Sequence, residues 1–287
     1  MRRLIVNADD FGLTAGVNRA IVAGHRSGLI TSSTIMANAR AFHEAVALAK
    51  ATSSLKTGCH VVLIDGAPIA ENLPTLTNGT PRFRNSLKQF AVAAVCGQIA
   101  GDEIQREVEA QIRRIQAAGL TVTHVDSHKH THMLPAILRP VLRAARACGI
   151  KAVRNPFEPL RSWPGGMVAT TPGLWLRSAA VATFQFFAAD FGKAIREEGM
   201  ITTDGTVGII ATGLLDQKVL LAILHALPEG TWELVCHPGY ADDDLKAAGT
   251  RLVQSRQVEL QALTSGATKK AMAAHGIELI SYADLLA

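Results

Sequence analysis

Apolar and polar positions along this chain fall into blocks that repeat one pair of elements. Leu4-Ile5-Val6 predicts a short buried strand, which stops as it delivers Asn7-Ala8-Asp9-Asp10, and Gly12 then lets the backbone turn. Apolar residues at helical spacing predict a helix from Leu13 that stops at Gly28. Thr31 to Ala37, rich in β-branched residues, predicts a second strand; Ala41 to Lys50 a second helix; and Gly58 to Leu63 a third strand carrying His60. The order β-α-β-α-β is that of a parallel sheet with crossover helices.

The alternation continues after an interruption. Asp65 to Arg84, rich in Pro, Gly, Asn and Thr, predicts a long surface loop of the kind that serves as a lid or binding loop. Asp102 to Ala118 predicts a helix with acids in its first turns, Arg113-Arg114 late and Gly119 as its stop. A strand at Thr121 to Val125, a helix at Pro135 to Cys148 and a strand at Ala152-Val153-Arg154 follow. Between Pro159 and Gly199 the apolar residues, Trp163, Trp175, Phe184, Phe186 and Phe187 among them, fit no single period. Strands at Val207 to Ile210, Trp232 to Cys236 and Ile277 to Ile280, with helices at Gln217 to Ala226 and roughly Thr250 to Thr264, complete the chain. About six or seven β/α units with polar residues gathered just after strands predict an α/β fold, a single TIM-like (β/α) barrel over residues 1–287 with fewer than eight units. A doubly wound open sheet is the competing arrangement.

Composition narrows the class. A chain of 287 residues with 48% hydrophobic and 18% charged residues is a folded globular protein. Cys59, Cys96, Cys148 and Cys236 form no C-x-x-C pair, which argues for a reducing compartment and against a disulfide framework or a cysteine zinc site. With acids arriving at Asp9, the N-terminus is no secretory signal, and no apolar stretch reaches the ~18 residues of a spanning helix, so a cytoplasmic location is expected. The net charge of +5 is dispersed, without the basic-aromatic interleaving of a nucleic-acid interface; a weak preference for an anionic surface or substrate is compatible with it.

Four strand ends carry the candidate chemistry: Asp9-Asp10, His60, the run from His124 to His132, and His237. His124, Asp126, His128, His130 and His132 share one parity and so one face of an extended segment. Adjacent carboxylates repel and call for a positive partner. A divalent cation held by Asp10, His60 and one histidine of the run supplies it, leaving Asp9 as a free base and Asp126 to fix a ligand tautomer. Ser127 lies near histidines, but no G-x-S-x-G elbow, Walker A or G-x-G-x-x-G pattern is present.

Asn7-Ala8-Asp9-Asp10-Phe11-Gly12, Gly58-Cys59-His60-Val61-Val62-Leu63, the stretch Thr123 to His132 and Cys236-His237-Pro238-Gly239 together resemble the YdjC-like carbohydrate deacetylases, the family of chitooligosaccharide deacetylase. The resemblance spans nearly the whole chain and implies a (β/α)-barrel, metal-dependent enzyme acting on an N-acetylated sugar. It implies one divalent ion, zinc or magnesium, on Asp10, His60 and His128, with Asp9 as general base and His237 as the histidine of the CHPG-type motif. Lys129 stands where the chitooligosaccharide enzymes carry a further histidine; with Arg154-Asn155-Pro156-Phe157-Glu158-Pro159 downstream, the chain looks more like the hopanoid-biosynthesis-associated branch. That branch implies N-acetylglucosamine carried on a hopanoid lipid as substrate.

In this scheme His237 protonates the departing amine, and Arg154 orients Asp9 or binds a sugar hydroxyl. The segment Val181 to Phe187, with Trp163 and Trp175, forms either an apolar shelf for a lipid aglycone or ordinary core. Peripheral membrane contact and pairing into a homodimer stay open. The alternatives are a barrel phosphoesterase, which needs two metals, and a non-catalytic sugar-binding protein, for which the Asp9-Asp10 pair has no purpose.

Overall fold

The structure, a computed structural model, describes residues 1–159 and 173–286. Its spine is β1 (Arg2–Phe11), longer than the apolar triplet suggests because pairing continues through both acids. On one side β1 pairs in parallel with β7 (Gly230–Cys236). On the other, β8 (Ile277–Ile280) pairs with Arg2–Ile5, and β2 (Ser32–Ile35) takes over from Asn7. With β3 (Lys56–Val61), β4 (Val122–Ser127), β5 (Ala152–Val153) and β6 (Gly205–Val207), the path runs β5-β4-β3-β2-β1-β7-β6. Its two ends are linked: Val153 N donates to Ile201 O at 3.0 Å, and Thr206 N to Phe157 O at 3.2 Å. The result is a parallel seven-stranded barrel-like sheet, not the regular eightfold barrel, because β8 lies off the path beside the first half of β1.

Helices cover the outside of the sheet: α1 (Ala15–Ser27), α2 (Phe42–Lys50), the short α3 (Pro74–Thr77), α4 (Leu87–Val95), α5 (Gly101–Ala117) and α6 (Pro135–Ala147). They continue as α7 (Leu174–Phe184), α8 (Ala188–Glu197), α9 (Gln217–Ala226), α10 (Asp243–Ala247), α11 (Gln254–Thr264) and α12 (Gly266–Ala274). Strand alternation sorts β1 into two faces. Leu4, Val6 and Ala8 join the main core under the helices, whereas Ile5 packs with Ala152, Ile280 and Tyr282 in a separate inner cluster. Asn7 and Asp9 share the parity of Ile5 and so face inward.

The strand expected at Val207 to Ile210 ends earlier. Gly208 adopts φ +98°, and the N–H groups of Gly208 and Ile210 donate to the buried Glu158 carboxylate at 2.9 and 2.7 Å, so the apolar residues beyond Val207 form a turn. Helix α4 lies in a stretch for which the pattern gave no element. Pro159 to Gly199 contains α7 and α8, while Trp163 lies outside the described residues.

The long loop is pinned in place. Glu107 accepts from the N–H groups of Ile69 and Ala70, and Glu103 from those of Thr75 and Leu76. Acids whose spacing suggested a helix-dipole role thus face inward and satisfy loop backbone. Among the described residues no helix is long and apolar enough to cross a membrane, and all four cysteines are free.

Candidate metal centre and active-site cleft

The paired acids reach one cleft through a backbone irregularity. Between Ala8 and Phe11 the register with β2 slips by one residue, and Asp10 adopts φ +67°. Alternation alone would send Asp10 outward with Ala8; the bulge turns it back beside Asp9. Gly12 follows at φ +105°, its N–H donating to Asn18 Oδ1 at 2.7 Å, and a Cβ there would sit 3.2 Å from Met36 O.

His60 and Asp126 are register partners on β3 and β4. Asp126 Oδ1 accepts from His60 Nδ1 at 2.7 Å and Thr34 Oγ1 donates to Asp126 Oδ2 at 3.0 Å, which leaves His60 Nε2 free to face Asp10 Oδ1 at 3.4 Å. His128 Nδ1 lies 3.4 Å from the same oxygen. That oxygen is buried and, among the described residues, has no hydrogen-bond partner. The donor atoms of Asp10, His60 and His128 all lie within 4.8 Å of one another. Ligands sharing a tetrahedral ion at about 2.1 Å stand about 3.4 Å apart. Burial opposes charge on His60, yet Asp126 and Asp9 hold its pKa well above the usual range, the mark of a negative potential at this point. An orphaned carboxylate oxygen, two imidazole nitrogens aimed at it and that potential fit a divalent cation. Asp9, His60 and Asp126 form a second cluster of donors, but there the cation is already present as Arg154.

Arg154 is fully buried just past β5. Nη1 and Nη2 donate to the two oxygens of Asp9 at 2.9 and 2.6 Å; Nη1 lies 2.8 Å from Asp126 Oδ2, and Nε donates to Glu233 Oε1 at 2.9 Å. Of its two expected places, the structure puts it beside Asp9, with no exposed face, every donor on a carboxylate and no share in the cleft lining. Burial raises the Asp9 pKa, but Arg154 overrides this and holds it far below the carboxylate range. Glu233 also accepts from Tyr282 Oη, and burial lifts its pKa above the ordinary value despite Arg154.

The histidine run divides. His124 and Asp126 obey strand parity, but after Ser127 the chain enters a 3-10 turn, His128–Met133, with Lys129 at φ 55° and His130 at φ 52°. One shared face for all five is therefore wrong. His124 stacks on Tyr282 at 3.6 Å between ring centroids and meets Asn7 Oδ1 at 3.2 Å, in space left by Gly58, where a Cβ would lie 2.5 Å from the ring. Ser127 Oγ and His132 Nδ1 are 2.5 Å apart, but both residues are fully buried and hold the turn. His128, His130 and Lys129 line the cleft, Lys129 donating to Asp65 at 2.6 Å.

His237, directly after β7, stands with Nε2 3.8 Å from Asp9 Oδ2. Burial holds its pKa down at about 4 against the pull of Asp9 and Asp10. Its backbone N–H donates to Glu259 Oε2 at 2.6 Å. Burial pushes Glu259 up to about 7. A carboxyl with a raised folded pKa stabilises the fold below its unfolded pKa and loses that contribution as pH rises through the folded value. Thermal melts should therefore show wild type losing on the order of 3 kcal/mol between about pH 4.5 and 7 relative to Glu259→Gln. Parallel melting curves across that window would mean the carboxyl ionises as freely as in water.

Asp9, Asp10, His60, His128 and His237 border a cleft of about 1480 Å³ at the carboxyl ends of the strands, walled also by the pinned loop and by Arg177 and Val181 of α7. On α7 and just beyond it, Trp175, Leu176, Phe184 and Phe186 are exposed. Sequence reading missed Arg256 and Glu233. Each is a charge among apolar neighbours, Leu252-x3-Arg256-x3-Leu260 on a helix face and Trp232-Glu233-Leu234 in a buried strand, and that was the available signal.

The fold and the site together define an α/β protein with a parallel, barrel-like sheet and a candidate divalent-cation centre at its strand ends. The chain belongs to the YdjC-like family, which matches residues 3–274. It is 34% identical over 283 residues to a carbohydrate deacetylase of Brevibacillus brevis, covering 99% of each chain. It is also 34% identical over 285 residues to a chitooligosaccharide deacetylase of Klebsiella pneumoniae, again covering 99% of each. A crystal structure from Enterococcus faecalis, named as a candidate cellobiose-phosphate cleavage protein, shares the fold with a TM-score of 0.78 at 24% identity, over 99% of this chain and 98% of that one.

Proposed function

We propose that this chain is a single-domain, metal-dependent carbohydrate deacetylase that hydrolyses the N-acetyl group of an amino sugar to acetate and a free amine. The observation that carries the reading is the orphaned Asp10 oxygen facing His60 and His128 beside a second, arginine-held carboxylate, in a chain whose full-length relatives are named carbohydrate deacetylases. Asp10, His60 and His128 would hold the ion, with zinc or magnesium the fitting choices. When bound, it supplies polarisation of the amide carbonyl and a more acidic water.

The chain's own residues do the rest. Asp9, locked in orientation by Arg154, takes the proton of the attacking water as the new C–O bond forms. His237 protonates the leaving nitrogen as the C–N bond breaks. At a pKa of about 4 its imidazole is neutral at rest, so it must acquire a proton during turnover, and Asp9 at 3.8 Å can hand one on. A binding protein has no use for this second acid. A two-metal phosphoesterase needs a further donor set, and the second cluster is occupied by Arg154.

A lipid-linked substrate, such as N-acetylglucosamine on a hopanoid, is favoured by one observation: α7 lines the cleft through Arg177 and Val181 while Trp175 and Phe184 of the same helix are exposed. Acetate release should be measured on N-acetylglucosaminyl lipid and on diacetylchitobiose, with and without chelator. Release from neither, or release indifferent to chelator, refutes the reading; preference for chitobiose removes the lipid. Asp9→Asn should keep its metal and lose turnover, and His237→Ala should lower kcat by about 10²–10⁴-fold. Near-normal rates would strip either residue of its role.

A further inference from the structure

Arg256 has no part in the chemistry above, yet it lies against the reacting centre. It sits on the first turn of α11 and is only 1% exposed. Nε donates to Leu252 O at 3.1 Å, and Nη2 to Asp10 Oδ2, the carboxylate oxygen turned away from the histidines, at 2.5 Å. The stem is clamped by the His-Pro-Gly turn: a Cβ at Gly239 would lie 2.9 Å from Arg256 Cδ, and Gly239 N donates to Arg256 O at 3.2 Å. With the stem and two nitrogens fixed, the remaining nitrogen has no freedom to seek a partner. Nη1 is buried and, among the described residues, bonded to nothing, while the residue lines the cleft with Asp9, Asp10 and His237. Arg154, the other fully buried arginine here, has every nitrogen on a carboxylate. A buried cationic N–H without an acceptor is unfavourable, so an idle one in a cleft points to an acceptor brought by the ligand.

We propose that Arg256 is a catalytic residue whose Nη1 donates to the acyl oxygen of the substrate. The inference rests on the deacetylase reading. As water adds to the carbonyl carbon, the C=O π pair moves onto that oxygen, and Nη1 holds the growing charge through a hydrogen bond. As the C–N bond breaks, the pair returns to re-form C=O. Arg256 keeps its protons throughout, and Nη2 keeps Asp10 in place.

The test uses the metal-loaded full chain and Arg256→Lys, which keeps a positive charge beside Asp10 but cannot span both positions. Metal content, kcat and KM on an acetylated sugar, and calorimetric titration with acetate are measured on both. Expected are equal metal content, a kcat lower by about 10²–10³-fold with KM nearly unchanged, and acetate bound at least about tenfold more weakly. Unchanged kcat and acetate affinity would overturn the proposal. So would loss of metal with full activity restored by excess ion, since Arg256 would then act only through Asp10. Should the variant misfold, a crystal structure of the wild type with acetate decides: an acetate oxygen within hydrogen-bond reach of Nη1 supports the proposal, and acetate bound elsewhere or not at all overturns it. If wild type cleaves no acetylated sugar, the deacetylase reading fails and the catalytic role of Arg256 falls with it; if wild type cleaves it and Arg256→Lys matches its kcat and acetate affinity, this proposal alone fails.

Discussion

Replacing Arg154 with methionine is expected to cost on the order of 3–5 kcal/mol at neutral pH, the usual penalty for stranding buried charge. The side chain is fully buried, and its three partners, Asp9, Asp126 and Glu233, are each at most 1% exposed. Methionine fills most of the volume but leaves three carboxylates facing one another without a cation. In a chain of this size the loss is a drop in Tm on the order of 10 °C. The sign of its pH dependence follows from the same contacts. Without the guanidinium, the carboxylates' folded pKa values rise above their unfolded ones, so the variant loses stability as pH increases and its deficit is smaller at about pH 5 than at about pH 8. A Tm within about 2 °C of wild type at pH 8 would show that the cluster protonates or hydrates at little cost.

The second large effect is loss of the ion. His128→Ala and His60→Ala should each abolish stoichiometric metal binding and, with it, deacetylation. They should differ in what else they break. The His128 side chain is 23% exposed and leans on Asp10 and Asp65 at the cleft wall, so its removal leaves the fold intact. His60 is buried and holds Asp126, so its loss also leaves that carboxylate short of a donor and lowers Tm. Asp126→Asn tests the support for the ligand: affinity should fall by about 10–100-fold without a change in stoichiometry. Elemental analysis of the dialysed proteins reads all three. A histidine variant that retains a full equivalent of metal would refute the ligand set.

Much of this was legible along the chain. Helices α1, α2, α5, α6 and α9 lie within a few residues of their predicted spans, because each shows an apolar stripe at helical spacing and all but α2 are bounded by a cap or glycine. The strand ends carrying Asp9-Asp10, His60, Asp126 and His237 were equally readable, since charged residues directly after apolar runs need a reason to be there. The failures have local causes. The apolar residues Ile209 and Ile210 extend the pattern of β6, but Glu158 captures the backbone that another strand would have used. The five-residue parity of the histidine run ignores the left-handed turn at Lys129 and His130. Glu103 and Glu107 carry the spacing of helix-capping acids, and only the loop lying across them shows what they hold.

By itself the sequence determined the alternation of the strands with the longer amphipathic helices and which strand ends carry acids and histidines, because both depend on periodicities a few residues long. Tertiary structure alone decided how those charges are shared. Strand order set Asp9, Asp126 and Glu233 around Arg154 out of all the acids in the chain, and Arg256 joined Asp10 from 246 residues away. Coulomb energy depends on distance in space and on exclusion of water, and neither is written in the spacing of residues along a chain.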